Sequence, residues 1–217
     1  MNARARIETL LWGAQRASAA VLAFCALAHL ATILYAVRGG LTGGEILART
    51  QGSVALAAFY GLFVVAVAVH APLGLRAILR EHARARGALV DLGMARARGA
   101  VRMNRPHRDH PAWWAFAAHR VSGLALTLFV PLHFWALGTA IGGEAALDGM
   151  LRWTDNALVK FAETGLVVLL AAHMAGGVRL LAVEFLPWSD RQKTAVAASA
   201  GFAIAAGLLF LFNVTAP

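Results

Sequence analysis

Four histidines lie inside apolar runs long enough to cross a bilayer: His29, His70, His133 and His173. An imidazole is costly in hydrocarbon, so each is a candidate functional group. Neutral imidazole is a good metal ligand, and axial ligation of haem iron is one of its common uses. The four are set in two recurring patterns. Arg16 and His29 are thirteen residues apart, as are Arg120 and His133, and Ser18 and Ser122 each follow their arginine by two. His70 to Arg76 and His173 to Arg179 both read H-x-x-x-G-x-R. The copies are offset by 104 residues for the first pattern and 103 for the second. Such internal similarity is the mark of a duplicated membrane unit.

The elements that carry these residues follow from composition. Of the 217 residues 59% are apolar, and the mean hydropathy is +0.64, beyond what a soluble domain of this length carries. A span needs about 20 apolar residues. Five stretches qualify: Leu10–Val37, Val54–Leu79, Ala112–Ile141, Ala157–Val183 and Thr194–Val214. Only helices satisfy the backbone in lipid without a closed barrel. The expected fold is therefore all-α, a polytopic bundle of five transmembrane helices in a single membrane domain over residues 1–217. It comprises a first two-helix repeat at 10–79, an arginine-rich cytoplasmic loop at 80–111, a second repeat at 112–183 and a fifth helix at 194–214. The two repeats are expected to be related by a pseudo-twofold axis. Arg4 and Arg6 precede the first apolar run, which shows no cleavage site, so it reads as a retained helix. One cysteine, Cys25, excludes an internal disulfide and a cysteine-ligated cluster.

The formal charge of +9 sits mostly between spans, which points to topology rather than to nucleic acid. Arg76 to Asp109 holds nine arginines against three acids, whereas Thr139 to Asn156 holds Arg152 against Glu144, Asp148 and Asp155. The positive-inside rule places the arginine-rich stretch and the N-terminus in the cytoplasm. The same arginines suit anionic lipid.

Depth then sorts the histidines. At about 1.5 Å per residue, His29 and His133 lie roughly 20 Å outward of Arg16 and Arg120. His70 and His173 fall in the cytoplasmic half. The expected pairs are His29 with His133 and His70 with His173, each across the repeats. Two facing imidazoles suit one haem b. With both axial positions filled, it would carry electrons rather than bind dioxygen. Two such haems at different depths would form a wire, and the same four histidines are the metal ligands. Zinc fits less well, because its sites gather ligands in one shell. Gly74, Gly176 and Gly177 would allow close approach of a macrocycle or a neighbouring helix. Arg76 and Arg179 are placed to meet haem propionates at the membrane edge. His82, His107 and His110 read as solvated loop residues, and His119 as either a surface group or part of a site.

His119-Arg120-Val121-Ser122-Gly123, followed by an apolar span and then His173-x-x-x-Gly177-x-Arg179, resembles the cytochrome b anchor of succinate dehydrogenase. Arg105-Pro106 and His110 are similar to that family's lead-in, with compressed spacing. The resemblance covers Arg105 to Glu184 and implies that His173 is a haem ligand. It also implies that Arg120 and Ser122 border a quinone pocket. Phe116 stands where the family often has serine, and Leu180 where it has histidine. The N-terminal copy makes the chain similar to the single-chain dihaem anchors of fumarate reductases, although here the extra span follows the fourth histidine helix. The implied function is electron passage between a cytoplasmic flavoprotein and iron–sulfur dehydrogenase and membrane quinone. The succinate chemistry would belong to those partner subunits, which would dock near the arginine-rich loop and the Pro187-Trp188 turn. The implied location is a bacterial-type inner membrane.

Glu163, ten residues before His173, is the candidate proton acceptor for an outer quinol site. Its other reading is a membrane-edge carboxylate paired with Lys160. Two further functions fit the sequence: a dihaem anchor for a different dehydrogenase or a hydrogenase, and a non-redox transporter or scaffold whose histidines act as polar glue.

Overall fold

A computed structural model of the chain describes residues 2–39, 42–97, 110–187 and 190–215. Among them are seven α-helices and no strand. Five are long and apolar enough to span a membrane: α1 (Ala3–Ala36), α3 (Val54–Ala97), α4 (Pro111–Gly138), α6 (Ala157–Phe185) and α7 (Gln192–Thr215). Two short helices, α2 (Gly43–Thr50) and α5 (Glu144–Thr154), lie in the connections between α1 and α3 and between α4 and α6.

Local chemistry sets the ends. Asn2 caps α1 by accepting from the Ala5 N–H at 3.0 Å. Asn156 does the same for α6 through the Val159 N–H at 3.1 Å. α2 opens with a capping box, in which the Thr42 hydroxyl and the Glu45 carboxylate each accept from the other's backbone N–H. α4 starts with Pro111 at its first position, behind His110, whose Nδ1 accepts from the Ala112 N–H at 3.1 Å. Exposed His110 is thus a helix cap. Gly143, at φ 83°, turns the chain from the 3₁₀ turn after α4 into α5, a conformation that favours glycine.

α3 runs 44 residues, about 66 Å at helical rise, and a bilayer core is about 30 Å thick. Its C-terminal half therefore continues as helix through much of the arginine-rich stretch to Ala97. Arg105, Pro106, His107 and Trp188 lie outside the described residues.

α1 packs against both α3 and α6, and α6 packs against α4, while α3 and α4 meet over a shorter contact. The four form a bundle in which α1 is diagonal to α4, and α3 to α6. α7 packs along α6. The buried apolar core lies at this side, where Leu30 of α1 meets Val167 and Ala171 of α6 and Ala203, Ala206 and Phe210 of α7. α2 and α5 pack on each other at one end of the bundle. The Gly43 N–H donates to Asp148 Oδ1 at 2.6 Å there, so the two repeats are tied at the end where α3 and α6 begin, opposite their C-termini.

Candidate functional site

The bundle brings the four span histidines together in two pairs. His29 of α1 and His133 of α4 have ring centres 6.1 Å apart, with planes at 69°. His70 of α3 and His173 of α6 have ring centres 6.2 Å apart, at 79°. Each pair joins diagonal helices, and each joins one repeat to the other. All four side chains are half-buried.

The inner pair is held by backbone. His173 Nδ1 donates to the His119 carbonyl at 2.9 Å, and His119 Nδ1 donates to the His173 carbonyl at 3.0 Å. The two rings stack at 4.2 Å and 4°, so His119 belongs to the site and is no surface group. A carbonyl can only accept, so each Nδ1 carries the proton and each Nε2 keeps its lone pair. Ser122 Oγ lies 3.3 Å from His173 Nδ1. Its own proton goes to the backbone, with the Ala118 carbonyl at 2.7 Å and the His119 carbonyl at 3.0 Å.

The first repeat builds the same device. His70 hydrogen-bonds the Gln15 backbone, and Ser18 Oγ lies 3.4 Å from His70 Nδ1. Ser18 Oγ donates to the Gln15 carbonyl at 3.1 Å. Gln15 therefore occupies the place of His119, and Ser18 that of Ser122. The glycine of each H-x-x-x-G makes room for that residue. A Cβ at Gly74 would come within 3.6 Å of the Gln15 amide nitrogen, and one at Gly177 within 3.4 Å of His119 Cε1. Gly123 is tighter still, since a Cβ there would lie 2.8 Å from His173 Cε1.

The outer pair has aromatic surroundings. Tyr60 and Phe63 of α3 sit edge-on to His29, with centres at 6.0 and 5.6 Å. Phe129 lies 5.3 Å from His133. His29 Nδ1 is buried without a hydrogen-bond partner.

The two arginines before the serines are paired across the repeats. Arg16 of α1 pairs with Glu184 of α6, and Arg120 of α4 pairs with Glu81 of α3 at 2.5 Å. Each arginine also lies over an aromatic ring four residues earlier. Arg16 is 5.7 Å from the Trp12 ring centre, and Arg120 is 4.1 Å from that of Phe116. Sequence reasoning missed the two acids. Their signal was there, because Glu81 and Glu184 both follow their histidine by eleven residues and extend the repeat to H-x-x-x-G-x-R-x-x-x-x-E.

The remaining expected site residues are placed as follows. Arg76 donates to Glu8 Oε1 at 2.8 Å, and Arg80 donates to Glu8 Oε2 at the same distance. Arg179 Nη2 donates to Gln192 Oε1 at 3.1 Å, while its Nε is buried and unpaired. Glu163 is half-buried on α6. Its expected membrane-edge pairing with Lys160 is not formed, because Lys160 pairs with Asp155 at 2.8 Å. Asp155 precedes α6 and is more exposed, so the lysine reaches outward to it. Glu163 makes no ion pair or hydrogen bond among the described residues. His82 is exposed.

The donor set suits a group bound from two sides. Two imidazoles on opposite sides of one metal, with bonds of about 2 Å and rings about 1 Å in radius, have centres roughly 6 Å apart. Both pairs meet that spacing. The orphaned His29 Nδ1 is a buried nitrogen that coordination or a hydrogen bond must satisfy. No group of three or more metal-ligating side chains converges among the described residues. The four histidines therefore fit two axially ligated haems better than a closed zinc site.

Comparison with known proteins gives a consistent family. The family description "Succinate dehydrogenase/Fumarate reductase transmembrane subunit" matches twice, over residues 2–100 and over residues 94–213. Each half of the chain thus matches on its own. A similar relative is the Mycobacterium tuberculosis "Succinate dehydrogenase 2 membrane subunit SdhC", 25% identical over 84 residues. That alignment covers 39% of this chain and 60% of the relative. Another is the Halobacterium salinarum "Succinate dehydrogenase hydrophobic membrane anchor subunit", 29% identical over 72 residues, which are 33% of this chain and 55% of that protein. The chain therefore spans little more than half the length of these relatives. No solved structure matches it significantly.

Proposed function

The chain belongs to the family of succinate dehydrogenase/fumarate reductase transmembrane subunits, and from that premise we propose a dihaem cytochrome b anchor. It passes electrons between a cytoplasmic flavoprotein and iron–sulfur dehydrogenase and membrane quinone. His29 and His133 would hold an outer haem b, and His70 and His173 an inner one. A haem with imidazole on both faces exchanges single electrons and leaves no position open for dioxygen.

The chain's own residues supply orientation and shielding. The His119 and Gln15 carbonyls, with Ser122 and Ser18, hold the inner imidazoles. This outer shell fixes the tautomer and raises ligand basicity. Tyr60, Phe63 and Phe129 keep water from the outer pair. Arg120, paired with Glu81 of α3, and Ser122, beside His173, would border a quinone head that meets the Arg120 guanidinium. Glu163 Oε would take and return the quinol proton on the outer side, its half-buried carboxylate being free of a direct ion pair because Lys160 pairs with Asp155. Arg76 and Arg179, at the inner edge, are the candidate propionate partners, with Glu8 and Gln192 now in those places. The partner subunits would dock on the face carrying the N-terminus and the cytoplasmic end of α3. They would bring the succinate or fumarate chemistry, for which this chain has no residue set.

The observation that carries this reading is the pair of diagonal imidazole couples at 6.1 and 6.2 Å. A dithionite-reduced minus oxidised spectrum of the purified complex, with a pyridine haemochrome assay, tests it. Two b-type haems per chain are expected. Loss of one on His173→Ala and of the other on His29→Ala would assign the ligands. A well-folded complex free of haem would overturn the reading.

A further inference from the structure

α7 covers the seam between α6 and α1. Val167, Val168 and Ala171 of α6 and Leu30, Ile33 and Val37 of α1 pack in one apolar cluster with it. The fit is close, because the face of α7 turned to them carries buried Ala203, Ala206 and Gly207, and a Cβ at Gly207 would overlap Val168 Cγ2. The repeat offsets of 103 and 104 residues carry the covered surface onto the other copy. Val64, Val65 and Ala68 of α3 stand where Val167, Val168 and Ala171 stand on α6, the same residues at the same spacing. Phe134, Leu137 and Ile141 stand where Leu30, Ile33 and Val37 stand on α1. Leu30, Val167 and Ala171 are 2%, 6% and 0% exposed, whereas Phe134, Val64 and Val65 are 45%, 42% and 62% exposed and Ile141 is 93% exposed. Among the described residues α3 packs on α1 and, over a shorter contact, on α4, and neither covers this face.

We propose that the open α3–α4 face docks one transmembrane helix of a separate small subunit. The helix lies antiparallel to α3, as α7 lies to α6, and sets small residues three and four positions apart against Val64, Val65 and Ala68. In lipid, helices associate by close packing of small residues on a complementary surface rather than by hydrophobicity. The criterion is therefore shape, and the Val-Val-x-x-Ala surface that α7 fits on α6 is present a second time on α3.

A second copy of this chain is the poorer occupant. The small face of its α7 already lies on its own α6, and the outward face carries exposed Ile204, Leu208 and Phe212. Two copies meeting through the α3–α4 face itself would set valine, phenylalanine and isoleucine against one another, with no small residue to match Val65. α7 and the open face also lie on opposite sides of the bundle, because α3 is diagonal to α6. Copies joined from one to the other would extend as an open row and not close. A single helix of about 20 apolar residues fills the face without these conflicts.

The test uses the complex purified from its own membrane into phosphatidylcholine nanodiscs, with photoreactive benzoylphenylalanine at Val65 or, on the outward face of α7, at Phe212. Irradiated products are read by intact mass and peptide mapping. At Val65 the expected product is a one-to-one adduct with a polypeptide holding a single apolar span, and at Phe212 no such adduct forms. Excess synthetic helix of the α7 sequence, Gln192–Thr215, should displace that polypeptide. The same peptide carrying Gly207→Leu should displace it about tenfold less well, the effect of overpacking one contact. Ile141→Trp meets nothing within the chain, since Ile141 is exposed, and should lower the Val65 adduct about tenfold at an unchanged unfolding temperature. An adduct at Val65 with a second copy of this chain would make the face a contact between copies and overturn the proposal. Adducts with phospholipid alone, or a polypeptide that the α7 helix does not displace, would overturn it as well.

Discussion

His173 is held on two sides, by the carbonyl of His119 and by the close approach of Gly123. Gly123→Ala would place a methyl 2.8 Å from Cε1 of a ring whose Nδ1 is already tied down. Such overpacking costs about 1–3 kcal/mol. The expected result is loss of the inner haem, read by haemochrome assay as one haem per chain instead of two. Gly74→Ala meets nothing nearer than 3.6 Å and should keep wild-type haem content. Glu163 carries a different prediction. If its carboxylate moves the quinol proton, Glu163→Gln should slow quinone turnover of the complex about 100-fold at unchanged haem content. An unchanged rate would remove it from the chemistry. At this scale the sequence was largely legible. The four histidines, both arginines and both serines stood out by spacing alone. Glu81 and Glu184 lay in the same repeat, one motif length further on. Tyr60 and Phe63 carried no signal, because their contact with His29 crosses between helices.

Among the elements, the spans were predictable because lipid leaves the backbone one way to satisfy itself. The short helices α2 and α5 were not, being brief and amphipathic between apolar runs. Glycine pairs introduce both, in Gly43-Gly44-Glu45 and Gly142-Gly143-Glu144, which in retrospect marks a further part of the duplication. α7 has no counterpart in the first repeat, and its role is packing on α6. Gly207 permits this, since a Cβ there would overlap Val168 Cγ2. Valine is stiff at χ1 and cannot easily yield. Gly207→Ala should therefore loosen α7 and destabilise the bundle by about 1–3 kcal/mol, seen as a lower unfolding temperature in detergent. Both histidine pairs lie on the other four spans, so haem content at low temperature should hold.

For the whole molecule, orientation decides which of the two proposed haem sites would face a docked dehydrogenase. The arginine count argues for an N-terminus inside, and the five spans would then put Pro217 outside. An alkaline phosphatase fusion at Pro217 should be active in a bacterial inner membrane, and a green fluorescent protein fusion there should be dark. The opposite pair of results would move the docking face to the α2–α5 end. The packing of the four helices also explains why both arginine–glutamate pairs cross between repeats. Each first helix of a repeat meets the second helix of the other copy, so breaking either pair loosens the repeats from each other.

Hydropathy and repeat spacing determined the all-helical class, the five spans, the duplication and the two histidine levels, because each is a property of periodicity along one chain. The tertiary structure alone decided which helices are diagonal and that His119 stacks on His173. It also decided that Arg16 and Arg120 find acids from the opposite repeat. It turned Lys160 to Asp155 rather than Glu163. These are contacts between residues far apart in sequence, set by how apolar helices pack side by side, and no local pattern records which neighbour a helix will have.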